Sequence, residues 1–231
     1  MRGLRERKYL LLLVALVVAA IMEPMVRDWS ERVQILAEVI LAAVNLAVFL
    51  VIFEQRWERY LALFLVFPLF ASSIAHSISA ERLQVIEIIF HAFGIAFLGF
   101  GVTLILKRIF RQETIHTDAV VGALCGYLLV AGAWANAYAL VYQLRPGSFR
   151  AADVIAGQLD NWPLQRLLFN YLSVMTLTTL GYNDITPIGP LALTLSWLEV
   201  VFGQFYIAVV VAQLVGLRLA QSTKQDRRDS S

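Results

Sequence analysis

Long apolar runs broken by short polar stretches dominate this chain. Six of them reach the length of about 20 mostly apolar residues that a helix needs to cross a bilayer. They cover roughly residues 9–26, 33–53, 60–80, 83–106, 119–144 and 190–217. The fifth carries no charged residue and the sixth a single acid, Glu199. The earlier runs contain isolated polar groups: Glu23, Glu38, His76, Glu87 and His91. A seventh run, 164–178, is too short to cross in addition to its neighbours. The pattern predicts an all-α membrane protein with six transmembrane helices and a half-length, re-entrant helix and loop between helices five and six.

Composition agrees with lipid as the solvent. Hydrophobic residues make up 59% of the 231 residues and charged residues 16%, against roughly 45–50% (glycine included) and 25% in soluble domains. The net charge of +2 argues against nucleic acid as a partner. One cysteine, Cys125, excludes an intrachain disulfide and any CxxC motif. Three scattered histidines form no metal-ligand spacing, and no Gly-x-Ser-x-Gly elbow marks a hydrolase. An enzyme is not expected.

Basic residues set the orientation. With six spans and the amino terminus inside, thirteen of the 19 Lys and Arg fall on the cytoplasmic side. They lie before residue 9, at Arg56 and Arg59, at Lys107, Arg108 and Arg111, and from Arg218 onward. Both termini are then cytoplasmic. The first run also has the basic-then-apolar order of a signal peptide, but no small-x-small site precedes Glu23. Three parts are expected: a four-helix membrane domain (1–112), a unit of outer helix, half-helix, loop and inner helix (113–220), and a short polar tail (221–231).

The informative stretch is LQRLLFNYLSVMTLTTLGYNDITP, residues 164–187. Asp160, Asn161 and Pro163 provide helix-start chemistry, and an apolar helix runs to about Thr178. Thr176, Thr178 and Thr179 cluster at its end. The next residues, Leu180 to Asp184, follow no helix or strand pattern. Irregular backbone between two spans is tolerated only inside protein or facing a watery cavity. A half-helix entering from outside brings its partially negative carboxyl end to the membrane interior, where it favours a cation. An extended loop beyond it can turn carbonyls inward if some residues adopt left-handed angles. Gly181 does so freely, and Asn183 is among the few other residue types that tolerate it.

TLTTLGYND resembles the signature of the potassium-channel pore family, whose filter typically reads TVGYG followed by Asp. The resemblance covers about residues 119–217. It implies ion-coordinating carbonyls on Thr179, Leu180, Gly181 and Tyr182, with Asn183 at the outermost site and the Thr179 hydroxyl at the innermost. It implies filter support from Thr178, from Asp184 behind the filter, and from Tyr171, placed to bond to that acid. Tyr182 would point away from the ions and brace the loop. Gly203 coincides with the glycine at which inner helices of this family bend; it also suits close packing. Gln204, Ile207, Val211 and Val215 fall on the cavity side, although Gln204 is equally suited to bonding a neighbouring helix.

Two residues depart from the family pattern. Leu180 replaces Val, which leaves the carbonyl chemistry intact. Asn183 replaces the second filter glycine and bears on the outermost site and on selectivity. One chain supplies one carbonyl column where a closed filter needs four, so a homotetramer in the lipid bilayer is expected.

The fourth run carries no basic residue before Lys107, so the regular arginines of a voltage sensor are missing. Glu87 and His91, four apart near the outer end of that run, read as polar packing close to the surface rather than a proton sensor. Glu38 and Asn45 share a face directed at the helix bundle, and His116 lies in an inner loop. The expected function is passive conduction of K⁺ in a prokaryotic plasma membrane, with no cofactor beyond the permeant ion. A weakly selective cation channel and a non-conducting, partner-binding membrane subunit are the alternatives.

Overall fold

A computed structural model describes residues 8–25, 40, 46, 53, 55–78, 84–111, 117–153 and 155–229. Glu38, Asn45 and His116 lie outside these, as does most of the second apolar run. The described chain is mostly helical. Helix α1 spans Lys8–Met25, α2 Arg56–Ile78, α3 Gln84–Arg111 and α4 Thr117–Leu144. A short strand β1, Phe149–Ala151, and a 3₁₀ turn, Ala156–Asp160, precede α5, Trp162–Leu177. Strand β2, Ile185–Pro187, leads into α6, Pro190–Asp229.

Among the described residues, three helices are long and apolar enough to cross a membrane: Gln84–Arg111, Asp118–Leu144 and Pro190–Gly216. Sixteen residues of α5 rise only about 24 Å, short of a hydrocarbon core of about 30 Å. Helix α6, with 40 residues, rises about 60 Å. The polar tail expected from residue 221 is therefore helical as far as Asp229. Its backbone simply continues the i→i−4 ladder of the apolar part.

Two apolar clusters hold the fold together. The first joins α1 to α4 through Tyr9, Leu12, Val66, Phe97, Ile105, Ile109 and Leu129. It takes in Leu177 at the end of α5 and Tyr206 and Val210 of α6. Close approach of α1 to α4 depends on Gly122, where a Cβ would lie 3.2 Å from the Tyr9 ring. Cys125 Sγ meets the Tyr9 carbonyl there at 3.3 Å. Where the start of α2 meets the end of α3, Arg108 pairs with the buried Glu58 at 3.0 Å.

The second cluster surrounds α5 with Tyr138, Val141, Phe149, Leu159, Phe169, Leu172, Ile185 and Ala192. The β1–β2 ladder, which the sequence pattern does not announce, lies beside it. It is antiparallel with Phe149 opposite Pro187 and Ala151 opposite Ile185. Three residues per strand are too few to produce a readable alternation, and Pro187 sits at a strand end, where its missing N–H costs little.

Glu87 and His91 differ from the surface placement expected of them. Each is only 1% exposed. His91 Nδ1 lies 3.0 Å from Asn136 Oδ1, and the Asn136 amide donates to the Gly132 carbonyl at 2.8 Å. His91 thus meets α4 rather than water. Gly94, one turn further on, makes room for Asn136: a Cβ would come within 2.8 Å of its Oδ1.

Candidate functional site

Helix α5 is placed by hydrogen bonds at its amino end. Asn161 is the cap, its Oδ1 accepting from the Leu164 N–H at 3.3 Å, and Pro163 sits in the first turn. The fully buried Gln165 donates to the Leu159 carbonyl at 2.8 Å and accepts from Gln143 Nε2 at 3.1 Å. Gln84 at the start of α3 donates to the Gln143 carbonyl at 2.6 Å. A run of glutamines thus ties α3 and α4 to α5, and each buried amide finds the partner it needs. Sequence reading missed these residues because nothing distinguishes a glutamine at a helix end from a solvated one.

The carboxyl end of α5 is where the backbone becomes unusual. Thr178 is the cap residue. The Thr179 N–H then bonds to the Thr176 carbonyl at 3.0 Å, and the Leu180 N–H to the Met175 carbonyl at 2.8 Å. This pair is a Schellman motif, whose first residue beyond the cap is normally glycine because it must be left-handed. Here that residue is Thr179, with φ +61°. A β-branched side chain at such an angle costs on the order of 1–2 kcal/mol.

The left-handed angle recurs at every second residue: φ is +61° at Thr179, +58° at Gly181 and +64° at Asn183. Leu180 and Tyr182 between them do not share it. In an ordinary strand successive carbonyls point to opposite sides. Alternating handedness turns successive peptide planes the same way, gathering N–H groups on one side and carbonyls on the other. The N–H groups of Thr179, Leu180 and Gly181 all reach back to α5, the last to the Met175 carbonyl at 3.3 Å. Among the described residues, no donor reaches the carbonyls of Thr179, Leu180, Gly181 or Tyr182. Four acceptors in a row are left without a donor among the described residues. Only the glycine and the asparagine could be picked out for this from composition; a left-handed threonine has no signal.

Side chains brace the loop from behind. Tyr171 Oη donates to Asp184 Oδ2 at 2.6 Å, and this bond is the main cause that pushes the Tyr171 phenol up to about 12. The Thr178 hydroxyl donates to the Val174 carbonyl at 2.6 Å, and that of Thr186 to the Asn183 carbonyl at 3.4 Å. Tyr127 of α4 donates to the Leu177 carbonyl at 3.0 Å, closing off the last acceptor of the helix. A cavity of about 290 Å³ lies beside Tyr171, Met175, Thr179, Asn183 and Asp184, with Ser196 and Val200 of α6 on its far wall. Tyr182 is exposed in the single chain.

On α6, Gly203 is buried, and a Cβ there would stand 2.8 Å from the Leu177 carbonyl and 2.9 Å from its Cδ1. The helix runs unbroken through it; in this structure it is a close-packing position. Gln204, Ile207, Val211 and Val215 are all exposed. Only 22% of the α6 span is buried, whereas Glu199 is wholly so and bonds to Tyr138 and Ser173.

Residues 124–217 match the family model described as "Ion channel". The matched segment takes in most of α4, all of α5, the loop with its unclaimed carbonyls, and α6 to Leu217. Over that segment the chain is similar to an ion-channel domain, and the described residues are mostly helical, with three helices long and apolar enough to cross a membrane. No curated protein and no solved structure matches the chain.

Proposed function

We propose that this protein is a potassium-selective channel, assembled as a homotetramer of six-span subunits around one shared filter. The alternation of left-handed backbone at Thr179, Gly181 and Asn183, with four carbonyls that no donor among the described residues reaches, carries this assignment. Four such columns around an axis offer a dehydrated K⁺ oxygens in place of its water. The carboxyl ends of four α5 helices add partial negative charge below. Thr178, Tyr171 and Asp184 support the loop, and Gln204, Ile207, Val211 and Val215 of each subunit face the inner cavity. Permeation is passive, and the apolar run 83–106 offers voltage no basic residue to act on before Lys107.

A second reading is favoured by one residue. Asn183 puts a side chain where a glycine would leave bare backbone, and a looser outermost site would give a cation channel of weak selectivity.

Flux from the purified protein in liposomes tests both. With a potassium gradient, the first predicts K⁺ flux blocked by barium with little sodium flux. Equal sodium and potassium permeability selects the second. No flux of either ion rejects both in favour of a non-conducting membrane subunit.

A further inference from the structure

The one acid on the α6 span, Glu199, is 0% exposed. Tyr138 Oη of α4 donates to Glu199 Oε2, and Glu199 Oε1 is in hydrogen-bond contact with Ser173 Oγ of α5. Ser173 Oγ also lies 2.8 Å from the Ala131 carbonyl of α4. These three contacts bring α4, α5 and α6 together at one point, and each requires a proton of its own.

The protons can be counted. A carbonyl only accepts, so the contact with Ala131 uses the single proton of the Ser173 hydroxyl. Tyr138 spends its proton on Glu199 Oε2. The contact between Ser173 and Glu199 Oε1 then has no proton left unless the acid supplies one. An ionised Glu199 leaves two oxygens facing each other with nothing between them, and among the described residues no Lys, Arg or His forms an ion pair with it. A buried carboxylate in that setting is strongly disfavoured.

We propose that Glu199 is held as a neutral carboxylic acid whose Oε1–H donates to Ser173 Oγ, and that it is a positioning residue for the filter. Its influence on permeation rests on the channel reading above; its proton does not. Ser173 lies one helical turn before Leu177, where α5 hands over to the loop, so the bond fixes the height and rotation of the filter's inner end. Tyr138 is itself immobilised by the rings of Phe149 and Phe169, with centroids 5.6 and 6.5 Å away. Neutrality has its own consequence: the latch fastens three helices without leaving a fixed negative charge behind the filter, where it would hold a passing cation.

Infrared spectra of the reconstituted full-length protein, compared with those of Glu199→Gln, test the proton directly. A protonated-carboxyl band present in the wild type and missing from the variant is expected; no such difference overturns the proposal. Glutamine keeps both bonds, its amide donating to Ser173 and its carbonyl accepting from Tyr138. Glu199→Gln should therefore keep potassium flux within about twofold, whereas Glu199→Ala and Ser173→Ala lose about tenfold or more, on the scale of one lost buried hydrogen bond. Glutamine failing as badly as alanine overturns the positioning role. Should alanine variants not fold, the glutamine variant and the band still decide. A wild type that carries no flux but has the band rejects the channel and leaves the neutral acid standing.

Discussion

Tyr171 and Asp184 meet beside the 179–183 loop, hydroxyl to carboxylate at 2.6 Å, and so join α5 to the residue that follows the run of left-handed angles. The bond is solvent-accessible. Its loss in Tyr171→Phe should cost only about 0.5–1.5 kcal/mol of stability. Selectivity should suffer more, because the loop is otherwise braced mainly through its own backbone. The ratio of potassium to sodium flux in liposomes checks this; an unchanged ratio would remove Asp184 and Tyr171 from the support of the filter.

The same pair sets a pH expectation. The phenol is pushed up to about 12, above the ordinary tyrosine value of about 10. A group raised in this way contributes stability that is complete below its unfolded value and is lost as pH climbs through the folded one. The link should therefore be indifferent to pH between 7 and about 9 and fail between about 10 and 12. Ultraviolet titration of tyrosinate, wild type against Tyr171→Phe, measures it. A phenol that ionises at the ordinary value contradicts the bond.

Gly181 and Asn183 should respond in opposite senses. No atom lies within 4 Å of a Cβ built on Gly181, so Gly181→Ala meets no clash within the chain and costs only about 1–2 kcal/mol for its left-handed angle. Flux should nevertheless fall to background, since the carbonyl direction depends on that angle. Asn183→Gly relieves the angle at φ +64°, stabilising the protein by up to about 1 kcal/mol and keeping or sharpening selectivity. Thermal unfolding and flux, measured on both variants, separate backbone strain from carbonyl placement.

Gly203→Ala should be damaging for a different reason. The new Cβ meets the Leu177 backbone carbonyl at 2.8 Å, and backbone at the end of α5 cannot yield without moving the filter. A loss of about 1–3 kcal/mol is expected for such overpacking, with reduced flux. A variant of wild-type stability and flux would mean that α6 can stand away from α5.

Tyr127→Phe removes the donor that closes the Leu177 carbonyl at 3.0 Å. About 1 kcal/mol should be lost, together with some flux, because the freed carbonyl then competes with the filter oxygens for the ion. Denaturation midpoints and single-channel conductance check the two effects separately.

Much of this was legible in the chain. The run 119–144, the cap at Asn161 and the breakdown of periodicity after Thr178 placed α4, α5 and the loop close to their observed bounds. Lengths and apolar content suffice for that, because lipid and the helix ladder leave a segment few other choices. Gly181 and Asn183 could be singled out by residue type alone. Glu199 was visible as a lone acid, but not its partners: serine and tyrosine in apolar helices carry no mark of what they face. Thr179 was misleading in the other direction, since its type argues against the angle it adopts.

By itself, the sequence determined that the chain holds segments apolar enough for lipid, which of the long described segments are helical, and where the backbone must leave the helix. Those outcomes follow from hydrophobic length, capping chemistry and the steric freedom of single residues, all local properties. Only the tertiary structure decided that Thr179 takes a glycine's conformation, that Gly203 abuts Leu177, that Glu87 is buried, and that His91 meets Asn136 of α4. Each depends on which helix comes to lie alongside, and the strain or burial at one residue is offset by hydrogen bonds and packing supplied by residues distant in the chain.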